Sequence, residues 1–142
     1  MKKFLIIVCL ACIFASAGSA EAEYGKARKK FARQLQQKVS GLALHNVYVA
    51  DFTDVLGKQN PVGRFYAASF SKLLADDSKA FSVVQRNAVH RFLSGSGWTD
   101  RDPAKSDVLA KVVSEFSPDA ILWGTLSSSG DKLTIDFVAR DP

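Results

Sequence analysis

The sequence contains few of the residues that most enzymes use for chemistry. Its 142 residues include only two cysteines, Cys9 and Cys12, and two histidines, His45 and His90. There is no His-x-x-x-His pair or paired-carboxylate pattern that would suit a metal. Ser94-Gly95-Ser96-Gly97 is not the Gly-x-Ser-x-Gly turn of a hydrolase nucleophile. We therefore expect a protein that is not an enzyme and that uses no metal or cofactor.

The first 22 residues have the pattern of a secretory signal peptide. Met1-Lys2-Lys3 is a short cationic start, residues 4–14 form an apolar run, and residues 15–20 are all small. A helix that crosses a bilayer needs about 20 apolar residues, so this run is too short to span one. We expect cleavage before Glu21 or Glu23. The mature chain would then be periplasmic or secreted, or associated with the outer membrane.

Lipidation at Cys12 is an alternative interpretation of the same segment. Leu10-Ala11-Cys12 is similar to a lipoprotein cleavage box, but Cys9 stands where that box has a leucine. We favour the unlipidated form. Both cysteines then leave with the signal peptide, so the mature chain has no disulfide, no thiol nucleophile and no thiolate metal ligand.

Positive charge is concentrated at the start of the predicted mature chain, in residues 23–45. Apolar residues at three- and four-residue steps predict an amphipathic helix over residues 24–42. Its six cations occur with no acid among them: Lys26, Arg28, Lys29, Lys30, Arg33 and Lys38. From Val39 onward there are 11 Lys/Arg against 12 Asp/Glu. A solvated helix face is the ordinary interpretation, and an acidic protein partner or an anionic membrane surface is the functional one. Nucleic acid is not expected outside the cytoplasm.

Residues 46–142 predict an α/β (α+β) domain. We expect a mixed sheet of about four strands with helices packed on it and a C-terminal β-hairpin. The predicted elements are a strand at 46–52, a helix opening at Asn60-Pro61, a strand at 81–86, a short helix capped by Asn87, a helix opening at Asp102-Pro103, and hairpin strands at 120–127 and 132–140. The chain stops on turn residues, like a domain that ends before its next strand.

The helix after Asn60-Pro61 has the most regular apolar pattern in the chain. Asparagine suits the N-cap, and proline suits the first helical position. The residues that follow the helical repeat are Val62, Phe65, Tyr66, Ser69, Phe70, Leu73 and Leu74. We expect the aromatic residues among them to lie in the core.

The loop before this helix holds a weak candidate anion site. Gly57, Lys58, Asn60, Gly63 and Arg64 lie between a strand and a helix start, where backbone N–H groups can bind an anion. The spacing lacks the Gly-Lys-Ser/Thr of a phosphate loop, so this site is a minor hypothesis.

Four segments together resemble a known pattern. They are residues 47–54 (VYVADFTD), 62–65 (VGRF), 81–86 (FSVVQR) and 119–126 (DAILWGTL). They are similar to the periplasmic α/β domain shared by curli-secretion-channel (CsgG-type), flagellar outer-membrane (FlgO-type) and TolB N-terminal-type envelope proteins. The resemblance implies a non-enzymatic module that binds an envelope protein partner or a second copy of itself, with the matching residues as scaffold positions.

The chain departs from that pattern in two ways. In the favoured unlipidated form it lacks the lipidated cysteine at the mature N-terminus, and we find no extra amphipathic strands for membrane hairpins, so a pore is not expected. We expect the partner to bind at the sheet edge left open after residues 132–140 and along the basic helix. Two alternatives stay open: an N-terminal module of a longer envelope protein (TonB-type or an outer-membrane lipoprotein), and association with an anionic membrane surface through the basic helix.

Overall fold

The computed structural model describes residues 6–13, 25–26, 29–30, 32–34, 36–37, 44–97, 106–129 and 132–140. The described residues between 25 and 37 are helical and belong to a helix named α1. The other elements are β1 (Ile6–Ile13), β2 (Asn46–Val49), β3 (Thr53–Asp54), α2 (Pro61–Asp77), β4 (Ser82–Val83), α3 (Arg86–Gly95), α4 (Ser106–Phe116), β5 (Ala120–Ser129) and β6 (Lys132–Arg140). The predicted α/β class is confirmed.

The strands form one mixed sheet in the order β1-β6-β5-β2-β4, with β3 also paired to β5. β2 is parallel to β4 and β5, and β3 is parallel to β5. β6 is antiparallel to both β5 and β1. The predicted hairpin is therefore confirmed. β1 and β3 raise the sheet from the expected four strands to six in the part of the chain that the structure describes.

Helices cover both faces of the sheet. Val47, Val49 and Leu122 face a cluster that includes Phe70 and Leu74 of α2. Tyr48 and Ile121 face the opposite cluster, which α3 and α4 complete with Val89, Leu93, Val108 and Val112. Successive side chains of a strand point to opposite faces, so β2 is buried on both sides, as its continuous apolar sequence predicts.

The strand predicted over residues 46–52 is interrupted. Regular pairing of β2 ends at Val49 and resumes at Thr53. The carbonyl of Val49 accepts a hydrogen bond from Arg86 Nη1 at 2.5 Å. Because α3 begins at Arg86, a side chain and not a further strand amide reaches this carbonyl. The strand predicted at 81–86 is shortened to Ser82–Val83 for the same reason, and Gln85, not the predicted Asn87, is the N-cap of α3.

The start of α2 is as predicted, and Phe70, Leu73 and Leu74 of its apolar repeat are buried, but its first turns differ. Asn60 caps the helix by accepting the N–H of Gly63 at 2.8 Å. Phe65, an aromatic residue predicted in the core, is 63% exposed, and Val62 of the same repeat is 53% exposed. The cause is Gly63, where a Cβ atom would lie only 2.1 Å from the carbonyl oxygen of Phe52. This close backbone contact turns Gly63 toward the sheet and its neighbours outward.

The structure describes only part of the predicted first helix and of the helix predicted to open at Asp102-Pro103. The helix predicted after Asp102-Pro103 is confirmed as α4, with Val108 and Val112 fully buried, while its predicted opening at Asp102-Pro103 lies outside the described residues. In α1, Ala32 is buried in the core against the sheet. None of the helices described is long and apolar enough to cross a membrane.

Candidate functional site

The outer edge of β6 pairs with a strand from the N-terminal segment of the same chain. β1, eight residues long, runs antiparallel to β6 from Ile6 opposite Ala139 to Ile13 opposite Lys132. The apolar stretch predicted for the signal peptide therefore lies in the sheet of the full chain. The open edge after β6 was expected for a chain without residues 1–22, so it stays a prediction; in the full chain β1 pairs with this edge.

β6 is held firmly on its inner side. It pairs with β5 along its whole length, from Arg140 opposite Ile121 to Lys132 opposite Ser129. Ile135 and Ala139 are also buried in the core beneath α2. The ladder and this burial fix the position of β6 whether or not another strand pairs with its outer edge.

The basic helix presents a cationic surface. Lys26, Lys29, Lys30 and Arg33 are exposed, whereas Arg28 and Lys38 lie outside the described residues. Lys29, Arg33, Gln36 and Asp77 line a cavity of about 300 Å³ between α1 and the end of α2. Asp77 places a carboxylate among the cations, which opposes the binding of a small anion there. The cations remain candidates for contact with an acidic partner or a membrane.

The loop of the predicted anion site already holds a carboxylate of its own. Asp54 Oδ1 accepts the N–H groups of Leu56 at 2.9 Å and Lys58 at 2.8 Å. Gly57 donates to the carbonyl of Asp54 at 3.0 Å and adopts a positive φ of 76°. A left-handed turn of this kind favours glycine. The amides that an anion would need are thus bonded within the loop.

The first turn of α2 is also bonded within its cap. The N–H of Gly63 donates to the Asn60 side chain, and the N–H of Arg64 donates to the Asn60 carbonyl at 3.1 Å. The side chains of Lys58 and Arg64 are exposed. The five candidate residues therefore lie in one folded segment, but the hydrogen bonds described here do not form a binding site for an anion. An anion site here stays a prediction.

A buried ion pair lies at the carboxyl end of β2, and we did not predict it. Arg86 Nη2 pairs with Asp51 Oδ1, while Nη1 donates to the carbonyl of Val49. Both side chains are less than a tenth exposed. Two features of the sequence could have indicated this pair: Asp51 follows a continuous apolar strand, and Arg86 is the last residue of the next predicted strand. Because the guanidinium is bonded both to the carboxylate and to the strand, the pair ties β2 to α3.

Tyr48 belongs to the same buried region. Burial raises the pKa of Tyr48 to about 12; the positive charge of Arg86 opposes this rise and the negative charge of Asp51 adds to it. The phenol is thus neutral at physiological pH. A neutral phenol and an ion pair that joins two elements fit a structural role for this cluster.

The start of the sheet depends on another acidic side chain. Asp119 Oδ2 accepts the backbone N–H of His45 at 2.7 Å and of Asn46 at 2.8 Å, and Asn46 Nδ2 donates to the carbonyl of Phe116. Asp119 therefore fixes where β2 and β5 begin side by side. Among the described residues, no group of three or more His, Cys, Asp or Glu side chains is placed to hold a metal ion.

No protein-family model, curated protein or solved structure matches this chain. The resemblance to curli-channel, flagellar and TolB-type domains stays a prediction. The β6 edge and the basic helix are therefore the features of this chain from which a function can be proposed.

Proposed function

We propose that the processed chain is a non-enzymatic binding module of the cell envelope that accepts a strand from a protein partner at the outer edge of β6. The observation that carries this proposal is β1, an apolar strand of eight residues paired along β6 in the full chain. If the signal peptide is removed as we predict, this edge loses its strand while β5 still holds β6 in place.

An uncovered strand edge presents unpaired N–H and C=O groups and can pair with another chain. Peptides that add a strand to such an edge gain affinity from main-chain hydrogen bonds and specificity from alternate side chains. β6 offers nine residues, which is longer than a typical strand of about five or six. The partner strand that fits is antiparallel to β6 and apolar, since β1 has both properties.

The basic helix supports binding to an acidic partner. The exposed cations Lys26, Lys29, Lys30 and Arg33 form one patch on α1. A patch of one sign speeds the encounter with an oppositely charged surface more than it adds to final affinity. In this proposal α1 steers the partner, and the β6 edge holds it.

Hydrogen exchange tests this proposal on the chain that the cell produces, with its N-terminus identified by mass spectrometry. A peptide that carries residues 6–13 between added lysines is the probe. We expect the peptide to slow amide exchange in β6. The opposite edge strand, β4, is the internal control and should not change, because it offers only two residues for pairing. Unchanged exchange in β6 at a saturating peptide concentration would overturn the proposal.

The same exchange experiment distinguishes a partner from a second copy of the chain. Protection of β6 that appears on adding an envelope extract, and not on raising the protein concentration, supports a different protein as the partner. If the protection of β6 rises with protein concentration and light scattering shows a dimer, the chain associates with itself, and the proposal of a different protein as partner is overturned.

A further inference from the structure

A second surface exposes large apolar side chains. Val55 and Leu56, in the turn after β3, are 67% and 76% exposed, and Val62 and Phe65 project from the first turns of α2. Residues 54–65, which contain all four, are named the β3–α2 tip. Val55 and Leu56 are neighbours in the turn, and Val62 and Phe65 lie about one helical turn apart, so this short segment exposes two apolar pairs.

The tip is held in place by its own backbone. Asp54 accepts hydrogen bonds from two amides of the turn, and a β-bridge joins Thr53 to Gln59 at its base. On the other side, Gly63 rests against the backbone of Phe52. The apolar side chains are therefore presented outward by a defined turn and a capped helix, which points to a preformed contact surface.

The outward-facing charges of the tip are positive. Lys58 and Arg64 are exposed, and they lie two residues after Leu56 and one residue before Phe65 in the sequence. The acid of the segment, Asp54, has its carboxylate bonded to the amides of Leu56 and Lys58. A surface that meets the tip must therefore accept apolar side chains and supply negative charge around them.

We propose that the β3–α2 tip inserts into the interface of an anionic phospholipid membrane. The apolar side chains would enter the boundary between headgroups and acyl chains, and Lys58 and Arg64 would contact lipid phosphates. Long cationic side chains can reach the headgroups while their methylene stems stay against apolar surface. A soft bilayer can receive a projecting turn, whereas a protein would need a cavity that matches it.

This surface is distinct from the basic helix and from the β6 edge. Lys29 and Arg33 of α1 line a cavity with Asp77, the last residue of α2, while the tip lies at the first residues of the same helix. β5 lies between β6 and β3, the strand at the base of the tip. Membrane contact through the tip can thus hold or fail independently of strand binding at β6.

Vesicle co-sedimentation tests the proposal on the chain that the cell produces. The probes are vesicles of phosphatidylglycerol with phosphatidylcholine, and vesicles of phosphatidylcholine alone. We expect binding to the anionic vesicles, and a loss of affinity of about tenfold or more in the double variant Leu56→Ser/Phe65→Ser. Circular dichroism should show unchanged folding, since both side chains are exposed. Binding that is unaffected by this variant would overturn the proposal.

A matched pair of charge variants distinguishes binding through the tip from general electrostatic attraction between the protein and the membrane. Lys58→Gln/Arg64→Gln should weaken binding several-fold and reduce its dependence on salt. Arg91→Gln/Lys111→Gln removes the same charge from exposed positions of α3 and α4, on the opposite face of the sheet, and should bind almost as tightly as the parent. Equal losses in the two variants would contradict a specific role for the tip.

Tryptophan fluorescence reports the depth of the tip directly. Because Trp98 and Trp123 also fluoresce, the spectrum of the parent chain is subtracted; the remaining emission of Leu56→Trp should shift to shorter wavelength on anionic vesicles and be quenched by lipids labelled in the acyl chain. Glu115→Trp, at an exposed position of α4, should show neither change. The absence of a shift at position 56, with the protein bound to vesicles, would mean that another surface makes the contact and would overturn the proposal.

Discussion

The carboxyl end of β2 and the β3–α2 tip distribute polar and apolar side chains in opposite ways, although they are close in the chain. Asp51 and Arg86 are charged and buried, whereas Leu56 and Phe65 are apolar and exposed. Phe52, which follows Asp51, is fully buried again. Residue type alone therefore does not decide burial here. Burial is decided by the interruption of the strand after Val49 and by the contact of Gly63 with Phe52.

Both arrangements reduce stability relative to one in which apolar side chains are buried and charged side chains are exposed. A buried ion pair must overcome the removal of two charges from water, and apolar groups left in water gain nothing from folding. Departures of this kind concentrate at structural junctions and contact sites. We interpret the ion pair as the junction between β2 and α3 and the tip as a contact site, and the following variants test that contrast.

The largest effect is expected from breaking the ion pair. Arg86→Met leaves the Asp51 carboxylate buried without its partner, which should lower the free energy of unfolding by about 3–5 kcal/mol. Urea denaturation of the parent and the variant measures the loss. The double variant Asp51→Asn/Arg86→Met is the control and should recover part of it, because no uncompensated charge remains. A loss below about 1 kcal/mol in the single variant would show that the pair is not a structural junction.

A pH-dependent loss of stability is expected from Tyr48. Its pKa is raised from 10.0 to about 12, chiefly by burial, so folding favours the protonated phenol. This contribution is fully present below pH 10 and is lost as the pH rises through about 12, by about 1.4 kcal/mol per pH unit. The free energy of unfolding, measured from pH 8 to pH 12, should fall more steeply in the parent than in Tyr48→Phe. Parallel curves would contradict the buried, neutral phenol.

A smaller loss is expected at Gly63, which lies in the tip and contacts Phe52, the residue after Asp51. Gly63→Ala would place a methyl group against the carbonyl oxygen of Phe52, and we expect a loss of about 1–3 kcal/mol in the free energy of unfolding. Gly95→Ala, in α3, is the matched control because a Cβ atom there meets nothing within 4 Å. Alanine should stabilise that helix by a few tenths to about 1 kcal/mol. Equal effects of the two substitutions would disprove the close contact.

The smallest effect on stability is expected at the tip. Leu56→Ser and Val55→Ser remove exposed side chains and should change the free energy of unfolding by no more than about 0.5 kcal/mol. Leu74→Ala, in the core under the sheet, is the contrast and should cost about 2–5 kcal/mol. Thermal denaturation measures both. A large loss in the tip variants would mean that Val55 and Leu56 are packed in solution.

Features that a local sequence pattern specifies were predicted correctly. The cap at Asn60, the double burial of β2 and the hairpin of β5 and β6 are confirmed, because each depends on residues next to one another in the chain. The ion pair was missed, since Asp51 and Arg86 are 35 residues apart and nothing local shows that they meet. The burial of Phe65 was also wrongly predicted, because a regular helical repeat does not reveal how closely the first turn of the helix approaches the sheet.

The cationic patch of α1 was predicted from spacing alone, and its four described cations are exposed as expected. The use of residues 6–13 as a strand was not predicted, because a short apolar run is compatible with a signal peptide, a helix or a strand. Pairing with β6 depends on the edge of a sheet that is completed near the far end of the chain.

By itself, then, the sequence determined the class of the fold, the main helices and strands, the basic first helix and the apolar character of the N-terminal segment, since these follow from local periodicity and composition. Only the tertiary structure decided where β2 is interrupted, that Gly63 makes the close contact in the first turn of α2, that Asp51 meets Arg86, and that β1 pairs with β6. The physical reason is that each of these depends on a contact between distant segments, where backbone approach and hydrogen bonding, not residue type, select what is buried and what remains exposed.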